Sequence, residues 1–471
     1  MFRSKGRWGA AAAAAVTLAV VSTGAAAQEA HPEARTALEG VWRSDGYAQY
    51  VTVRQGVLRT YEFTAAGCLP GGPDLTADKK PTSAGTPFRD AAGVRALTLR
   101  STGEGHARLA PSGAVGERSL ERVRALPADC TRKPAADPVH TFDVFWSALH
   151  ENYPFFAEKG VDWDAMRNTY RPQVNKNTSA DRLYQILGAM IAPLHDMHTQ
   201  LRDIAGERGT MNMRPGTPYP ADVEKFLARV VAASKPQLPQ KVHEFAGGQI
   251  QYADLSTPGI GYLRITSFAG YTKARDADAD AAVLDRALAE IFTAERVRGM
   301  RGLVVDLRAN GGGSDALGIK IAQRLTGRTY TAYTKIARND PNDPGSWTAP
   351  QPIRVRPAEG PRFTGPVAVL GGPLTISAGE SFAQSLMSRT PAPIRIGEPT
   401  QGVFSDTMEW HLPNGWVLTV PNEKFLTARG TTYDGAGIPP THPEPVYAEA
   451  DLANLRDPGL KRAVRELDRA R

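Results

Sequence analysis

The chain has 471 residues, of which 41% are hydrophobic and 22% charged, so it is long enough to bury more than one core. Its average apolar content excludes a wholly disordered chain, and its 45 glycines follow no Gly-X-Y period, which excludes a collagen-like one. The formal net charge is +7, but Arg3, Lys5 and Arg7 lie in a segment that we expect to be removed, which leaves +4. No basic stripe with interleaved aromatic residues is present in the sequence, so nucleic-acid binding is not expected.

The first 27 residues have the pattern of a secretory signal peptide. Three positive charges precede an apolar run over 9–21, and small residues follow at Ala25 and Ala27, after which cleavage is expected. The alternative is an N-terminal membrane anchor, but the run is short and alanine-rich, and no other stretch approaches the roughly 20 apolar residues of a spanning helix. The pattern predicts export, to the periplasm or beyond, with no membrane span after cleavage.

Residues 28–133 alternate polar and apolar side chains between frequent turn signals, which predicts a small N-terminal β domain with Trp42 in its core. The two cysteines of the chain, Cys68 and Cys130, both lie here. In an oxidising compartment they are expected to form a disulfide; two separately buried thiols are the alternative. No histidine or acidic cluster accompanies either one, so neither is a candidate nucleophile or metal ligand.

Helical periodicity begins after the prolines near 134 and predicts a helical bundle over 134–205. A linker with one amphipathic helix follows over 206–248. Strand-like and helical segments then alternate over 249–447, which indicates an α/β core, and the segment GLVVDLR reads as a strand buried on both faces. A C-terminal helix is predicted over 448–471.

The segment PVAVLGGPLTISAGESFAQSL places Ser377 where a buried strand turns into a helix. A serine there lies near the positive end of the helix dipole, and the amide of Ala378 can point at a developing oxyanion. The structural alternative is an ordinary N-cap, with Glu380 completing a capping box.

The segment GLVVDLRANGGGSDALG carries three glycines between a strand and a helix. The bare amides of Gly312 or Gly313 could supply the other half of an oxyanion hole. A phosphate cradle competes, but the segment lacks GK[ST] and matches neither nucleotide fingerprint. The purely structural alternative is a tight turn with Asp306 and Arg308 pairing locally.

A nucleophilic serine needs a base, and IAPLHDMHTQLRD offers His195 and His198 around Asp196. Two histidines at this spacing are also a candidate metal pair. A metal site would need a third ligand, and no HExxH-type pattern supplies one, so no metal is expected.

Together the motifs resemble the C-terminal processing peptidase family, also called tail-specific or tricorn-core-type serine peptidases. The resemblance rests on LHDMHTQL, YLRITSF, VVDLRANGGG, TISAGESFA, GEPTQGVFSD and YDGAGIPP, in this order, and covers about 137–447. It implies an α/β fold with a crotonase/ClpP-like β-superhelix core, hydrolysis of peptide bonds through an acyl-enzyme, a polypeptide or peptide substrate, and no cofactor.

The family resemblance implies two catalytic styles. In a Ser–Lys dyad the lysine would lie at Val403, and the next lysine, Lys424, is on the wrong side of a predicted hairpin. The tricorn-like style uses a histidine in a D-x-H-[ST] turn, here His198, with an acid at Asp434, where relatives often carry Glu. On this basis Ser377 is the nucleophile, His198 the general base, and Asp434 an orienting acid acting directly or through another residue.

One departure concerns substrate choice. Many relatives carry a PDZ module before the core, and 206–248 is too short for one, so recognition of C-terminal tails is not carried over. Two other functions stay open: a non-catalytic module that binds apolar ligands or peptides on the same fold, and hydrolysis of esters or small amides. The sequence does not indicate an oligomeric state.

Overall fold

The structure is a computed structural model of the chain and describes residues 37–217, 219–239, 241–274 and 276–470. The predicted signal peptide, residues 1–27, lies outside the described residues. Within those ranges no helix combines the length and the apolar character needed to cross a bilayer.

The described residues form strands and helices along the whole chain. The strands are β1 (Gly40–Ser44), β2 (Gln49–Arg54), β3 (Val57–Thr64), β4 (Gly67–Pro70), β5 (Leu75–Ala77), β6 (Thr86–Arg89), β7 (Arg95–Gly103), β8 (His106–Pro111), β9 (Arg118–Val123), β10 (Gln200–Asp203), β11 (Arg208–Gly209), β12 (His243–Phe245), β13 (Ile250–Asp254), β14 (Ile260–Ile265), β15 (Gly302–Asp306), β16 (Tyr330–Ala337), β17 (Gln351–Val355), β18 (Val367–Gly371), β19 (Ile394–Gly397), β20 (Thr407–His411), β21 (Val417–Pro421), β22 (Glu423–Leu426) and β23 (His442–Pro443). The helices are α1 (Pro138–Asn152), α2 (Phe156–Lys159), α3 (Trp163–Tyr170), α4 (Ala180–Ile191), α5 (Val223–Ser234), α6 (Ala277–Ile291), α7 (Ala294–Gly299), α8 (Asp315–Gln323), α9 (Ala378–Met387), α10 (Glu449–Ala453) and α11 (Pro458–Arg469).

The N-terminal sheet contains nine strands in the order β2-β1-β9-β8-β7-β6-β5-β3-β4. Since β2 also pairs with β3, these antiparallel pairings close into a ring. Trp42 is 1% exposed and lies in the core of this sheet, as predicted. Cys68 on β4 and Cys130 form the predicted disulfide.

Helices α1 and α4 pack against a four-stranded sheet of order β11-β10-β21-β20 and share one hydrophobic core with it. Helix α1 begins where it does because the Asp137 side chain accepts hydrogen bonds from the amides of Val139 and His140, and because Pro138 fits the first turn. Since β20 and β21 come from the last third of the chain, this core joins the helical part to the residues that follow α9.

The central sheet has seven strands in the order β12-β13-β14-β15-β18-β19-β23, and the pairs from β14 to β23 are parallel. Helices α6, α8 and α9 contribute to the core on one face, and α11 covers the other, so the described chain is a mixed α/β protein. Every residue of β15 is buried, as its continuous apolar run predicts. Because β15 and β18 are parallel neighbours, the turns that follow them meet at the same edge of the sheet.

The segment 448–471, predicted as one helix, contains two, α10 and α11. The second begins at Pro458, where the side chain of Asp457 accepts a hydrogen bond from the amide of Leu460 and starts a new helical turn.

Candidate active site

Ser377 lies in the turn between β18 and α9, as predicted, and has φ 55° and ψ −120°. An ordinary N-cap residue lies in the extended region, whereas a non-glycine residue at positive φ is strained. The Ser377 amide donates to the Glu380 carboxylate at 3.3 Å, and the two residues form the capping box of the structural alternative. The turn is therefore both a cap and a strained strand-to-helix corner, the backbone geometry that exposes a nucleophilic serine.

The three-glycine turn packs directly against this serine. A Cβ atom built on Gly312 would lie 2.8 Å from the Cβ of Ser377 and 3.3 Å from the amide nitrogen of Ala378. The turn has φ angles of 90° at Gly312 and 129° at Gly313. Glycine adopts such angles readily, whereas residues with side chains rarely do, so this close approach requires glycine.

The amides near Ser377 differ in whether they are already used. Gly311 donates to the Thr266 carbonyl, and Gly312 donates to Oδ1 of Asn310 at 2.9 Å. Of the two candidate donors, Gly312 and Gly313, the Gly312 amide therefore already has an acceptor within its own turn. Among the described residues, no acceptor is bonded to the amides of Ala378 and Gly313, so these two remain as a donor pair.

The local pairing of Asp306 and Arg308, the structural alternative for this motif, is present as well. Arg308 donates from Nη2 to Asp306 Oδ2 at 2.7 Å and from both Nη atoms to Asp457 at 2.7 Å. Burial acts to raise the pKa of Asp306, but the charge and hydrogen bonds of Arg308 outweigh it and hold the pKa at about 2. This buried cluster anchors α11 to the end of β15 and lies outside the serine turn.

Glu380 connects the serine turn to the segment that would carry a dyad lysine. Its carboxylate accepts hydrogen bonds from the amides of Gly402 at 2.6 Å and Val403 at 2.8 Å as well as from Ser377. Burial raises the pKa of Glu380 to about 7. Val403 is buried, and the Lys424 ammonium is bound to Glu158, so neither provides a base at the serine. The sequence pattern predicts Glu380 only as a cap. Its bonds to Gly402 and Val403 join residues more than 20 positions apart, and no local pattern predicts them.

His198 lies in the turn after α4, and its backbone is fixed at both ends. Its amide donates to Asp196 Oδ1 at 2.9 Å, and its carbonyl accepts from the Thr419 hydroxyl at 2.9 Å. Burial lowers the pKa of the imidazole, although Asp196, Asp406 and the backbone of Ser405 act in the opposite direction. The ring is therefore neutral at pH 7, the state that a base requires.

The structure does not join His198 to Ser377 by a hydrogen bond among the described residues. Nδ1 of His198 is buried and has no hydrogen-bond partner there. Neighbouring His195 is exposed, with φ 46°. The described part of the chain contains no group of three or more His, Cys, Asp or Glu residues that could hold a metal ion.

Asp434 is buried and bonded to the same segment, and among the described residues it forms no hydrogen bond with the His198 imidazole. Its Oδ1 accepts from the Phe404 amide at 3.1 Å, and its Oδ2 accepts from the Thr432 hydroxyl. Burial raises the pKa of Asp434 to about 8, and Asp196 and Glu380 add to that rise. Asp434 is thus a neutral acid at pH 7 in this structure, and it holds the Phe404 amide next to the Gly402 and Val403 amides that Glu380 holds.

Two family models match the chain. Residues 259–443 match Peptidase family S41, and residues 134–192 match the Tricorn protease C1 domain. A curated relative, carboxyl-terminal-processing peptidase 2, chloroplastic, from Arabidopsis thaliana, is 30% identical over 209 residues, which cover 43% of this chain. The match spans 36% of the length of that relative.

Solved structures share the fold. A candidate peptidase from Parabacteroides merdae aligns over 71% of this chain and 97% of its own, with a TM-score of 0.57 and 24% identity. Mature CPAF complexed with lactacystin aligns over 71% of this chain and 97% of its own, with a TM-score of 0.51 and 12% identity. At these identities the likeness concerns the fold.

The two family models and the relative are all peptidases, and together their matches lie in the helical part and the α/β core of the chain. Residues 259–443, the core of the chain, are those that match Peptidase family S41.

Proposed function

We propose that the protein is an exported serine peptidase that hydrolyses peptide bonds through an acyl-enzyme formed on Ser377. The observation that carries the proposal is the strained Ser377 turn beside two amides, Ala378 and Gly313, that have no acceptor. A free amide at the first helical position is normal for any helix, but an ordinary cap needs neither positive φ at the capping residue nor a second free amide from another turn. Stabilisation of a tetrahedral oxyanion needs donors held in advance. The match to family S41 supports peptide substrates.

In the proposed reaction the Ser377 hydroxyl attacks the scissile carbonyl, and its proton passes to His198. The carbonyl oxygen takes up negative charge between the Ala378 and Gly313 amides, each typically contributing about 3–4 kcal/mol. Collapse of the intermediate breaks the peptide bond, and His198 returns the proton to the leaving amine. Water then attacks the acyl-enzyme with the same base and releases the second product.

His198 must approach Ser377 for this chemistry, because the two are not hydrogen-bonded in the described structure. Catalytic hydrogen bonds are often long before substrate binds and tighten in the complex. The segment 402–405 is the proposed coupling element, since Glu380 and Asp434 hold its amides and the Ser405 backbone faces His198. Asp434 would then act on the base through this segment.

The remaining parts of the proposal come from the sequence. The signal-peptide pattern of residues 1–27 supports export, and the order of motifs supports a crotonase/ClpP-like superhelix in the core. N-terminal sequencing of the protein recovered outside the cytoplasm tests the first point: a mature chain beginning at Gln28 is expected, and an intact Met1 in that fraction contradicts cleavage.

Labelling with a fluorophosphonate tests the catalytic assignment. Wild type should label, Ser377→Ala should not, and His198→Ala should label at least about 100-fold more slowly because it lacks the base. His195→Ala is the matched control, since His195 is exposed three residues away, and should label like wild type. Labelling that persists in Ser377→Ala contradicts the nucleophile. A folded wild type that never labels favours a non-catalytic binding module.

A further inference from the structure

A cavity of about 640 Å³ lies beside the proposed oxyanion donors. One part of its lining comes from the core and includes Phe268, Gly313, Leu317 and Asp406. Gly313 is one of the two free amides, and Asp406 follows Ser405, whose backbone faces His198. The cavity therefore borders residues next to both the proposed nucleophile and the proposed base.

The N-terminal β domain supplies the opposite wall through the segment 111–118, which connects β8 to β9. This segment is fixed to the core at several points. The Gly113 carbonyl accepts from the Ser314 hydroxyl at 2.6 Å, and the Val115 carbonyl accepts from Lys335 Nζ at 3.0 Å. Gln351 bonds to the backbone of Glu117 in both directions, at 2.8 and 2.7 Å. The wall of the cavity is therefore fixed by hydrogen bonds to the core. Its volume of about 640 Å³ lies within the range of pockets that bind small ligands, roughly 300–1,000 Å³.

Arg118 is the charged residue of the β domain in this wall. Its guanidinium stacks on the Tyr47 ring at 4.3 Å from the centroid, and Tyr47 is itself held by a 2.6 Å hydrogen bond to Glu423. Among the described residues Arg118 donates no side-chain hydrogen bond and forms no ion pair. Stacking on Tyr47 therefore holds the planar guanidinium of Arg118, and its N–H groups have no acceptor among the described residues.

The acidic residues that line the cavity are already engaged. Asp280 accepts hydrogen bonds from the amides of Gly270 and Thr272, at 2.9 and 2.8 Å. Asp406 is paired with Lys335 at 2.8 Å. The carboxylates of Asp280 and Asp406 therefore already have hydrogen-bond partners within the protein. Arg118, whose charge also acts on Asp406, lines the cavity and has no hydrogen-bond acceptor among the described residues.

We propose that this cavity is a substrate subsite and that Arg118 binds a carboxylate of the bound peptide. A guanidinium held in plane binds carboxylates through two parallel hydrogen bonds, which gives selectivity as well as affinity. The carboxylate belongs either to an acidic side chain near the scissile bond or to the terminus of a short peptide. The proposal rests on the proposed peptidase function, and Arg118 is its specificity-determining residue.

The test compares kcat/KM for peptide pairs that differ only by Glu or Gln at one position, each made with a free and an amidated C-terminus. Wild type should prefer one carboxylate-bearing peptide by about tenfold or more, as expected for a charge-assisted pair. Arg118→Gln should abolish that preference, and Arg118→Glu should reverse it toward a Lys-containing peptide. Arg43→Gln is the matched control, since Arg43 also stacks on a ring of the β domain, Phe63, outside the cavity lining.

Fluorophosphonate labelling of Ser377 distinguishes a failure of the Arg118 subsite from a failure of the proposed peptidase function. All three variants should label within about twofold of wild type, because Arg118 does not touch the serine, and this also reports that the variants fold. A preference for the side-chain carboxylate or for the free terminus identifies the source, and either supports the subsite. Labelling without any carboxylate preference, or a preference that survives Arg118→Gln, overturns the role of Arg118 alone. Absent labelling in wild type overturns the proposed function instead.

Discussion

A Cβ atom on Gly312 would lie 2.8 Å from the Cβ of Ser377, closer than two such carbons approach in proteins. The glycine turn and the serine turn are therefore in backbone contact, at the edge of the sheet where β15 and β18 both end. This contact places the turn that contains the free Gly313 amide against the turn that contains the free Ala378 amide.

Alanine substitutions along the three glycines should separate their roles. A Cβ on Gly313 would lie 2.5 Å from the Phe268 carbonyl group, so Gly313→Ala must shift the free amide. We expect labelling of Ser377 to slow by about 100- to 1,000-fold, as for loss of an oxyanion donor. Gly311→Ala is the control, because no atom lies within 4 Å of its Cβ, and should label normally. A folded Gly313→Ala protein with the wild-type labelling rate would exclude this amide from the site.

The pH dependence of labelling should report the imidazole. Burial lowers the pKa of His198, so the base becomes neutral as pH rises through a value below the ordinary 6.5. The labelling rate should therefore rise with pH in the acidic range, below the ordinary value, and be level by pH 7. Rates measured across pH 4.5–9 check this, with His198→Ala as the control that should lose the rise. A labelling rate that rises only at alkaline pH, and does so in His198→Ala as well, would indicate a lysine base instead.

Asp434 should make the protein less stable as pH rises. Its folded-state pKa of about 8 lies above the ordinary value near 4, so between these values the folded state binds a proton that the unfolded state has lost. The free energy of unfolding then falls with pH, by up to about 1.4 kcal/mol per unit. Asp434→Asn removes this contribution, so its stability relative to wild type should increase from pH 4 to 8. Urea titrations at several pH values measure the difference, and parallel curves for the two proteins would contradict a raised pKa.

The disulfide between Cys68 and Cys130 should stabilise the β domain. It closes a loop with a sequence separation of 62, for which chain entropy corresponds to about 4 kcal/mol. Reduction, or the double substitution Cys68→Ser and Cys130→Ser, should lower the free energy of unfolding by an amount of that order. Denaturant unfolding with and without reductant measures it, and reductant should not affect the double variant. Identical midpoints for oxidised and reduced wild type would show that the bond contributes nothing.

The turns themselves could be predicted from sequence because they are local. A buried strand, a turn and the helix that follows Ser377 are consecutive in the chain. The turn with Gly311–Gly313 likewise lies between a buried strand and the next helix. The sequence also indicates two candidates for the second oxyanion donor, the amides of Gly312 and Gly313. The choice between them depends on the Asn310 side chain, which folds back onto its own turn and takes the Gly312 hydrogen.

The connections between turns could not be predicted. Glu380 binds amides at Gly402 and Val403, and Asp434 binds Phe404, each across 22 residues or more. The side chain of Asp434 was expected to orient the base; its raised pKa follows from burial, which one sequence does not reveal. Arg118 joins the cavity only because the 111–118 segment docks on the core, and no motif marks that contact.

Covalent acylation of Ser377 is the step on which the proposed function depends most. It is measured directly by pre-steady-state turnover of a chromogenic peptide combined with mass analysis of the quenched enzyme. A burst close to one product per chain, with the acyl group mapped to the peptide that contains Ser377 and absent from Ser377→Ala, is the result we predict. Steady hydrolysis with no covalent adduct, or an adduct on another residue, would contradict it.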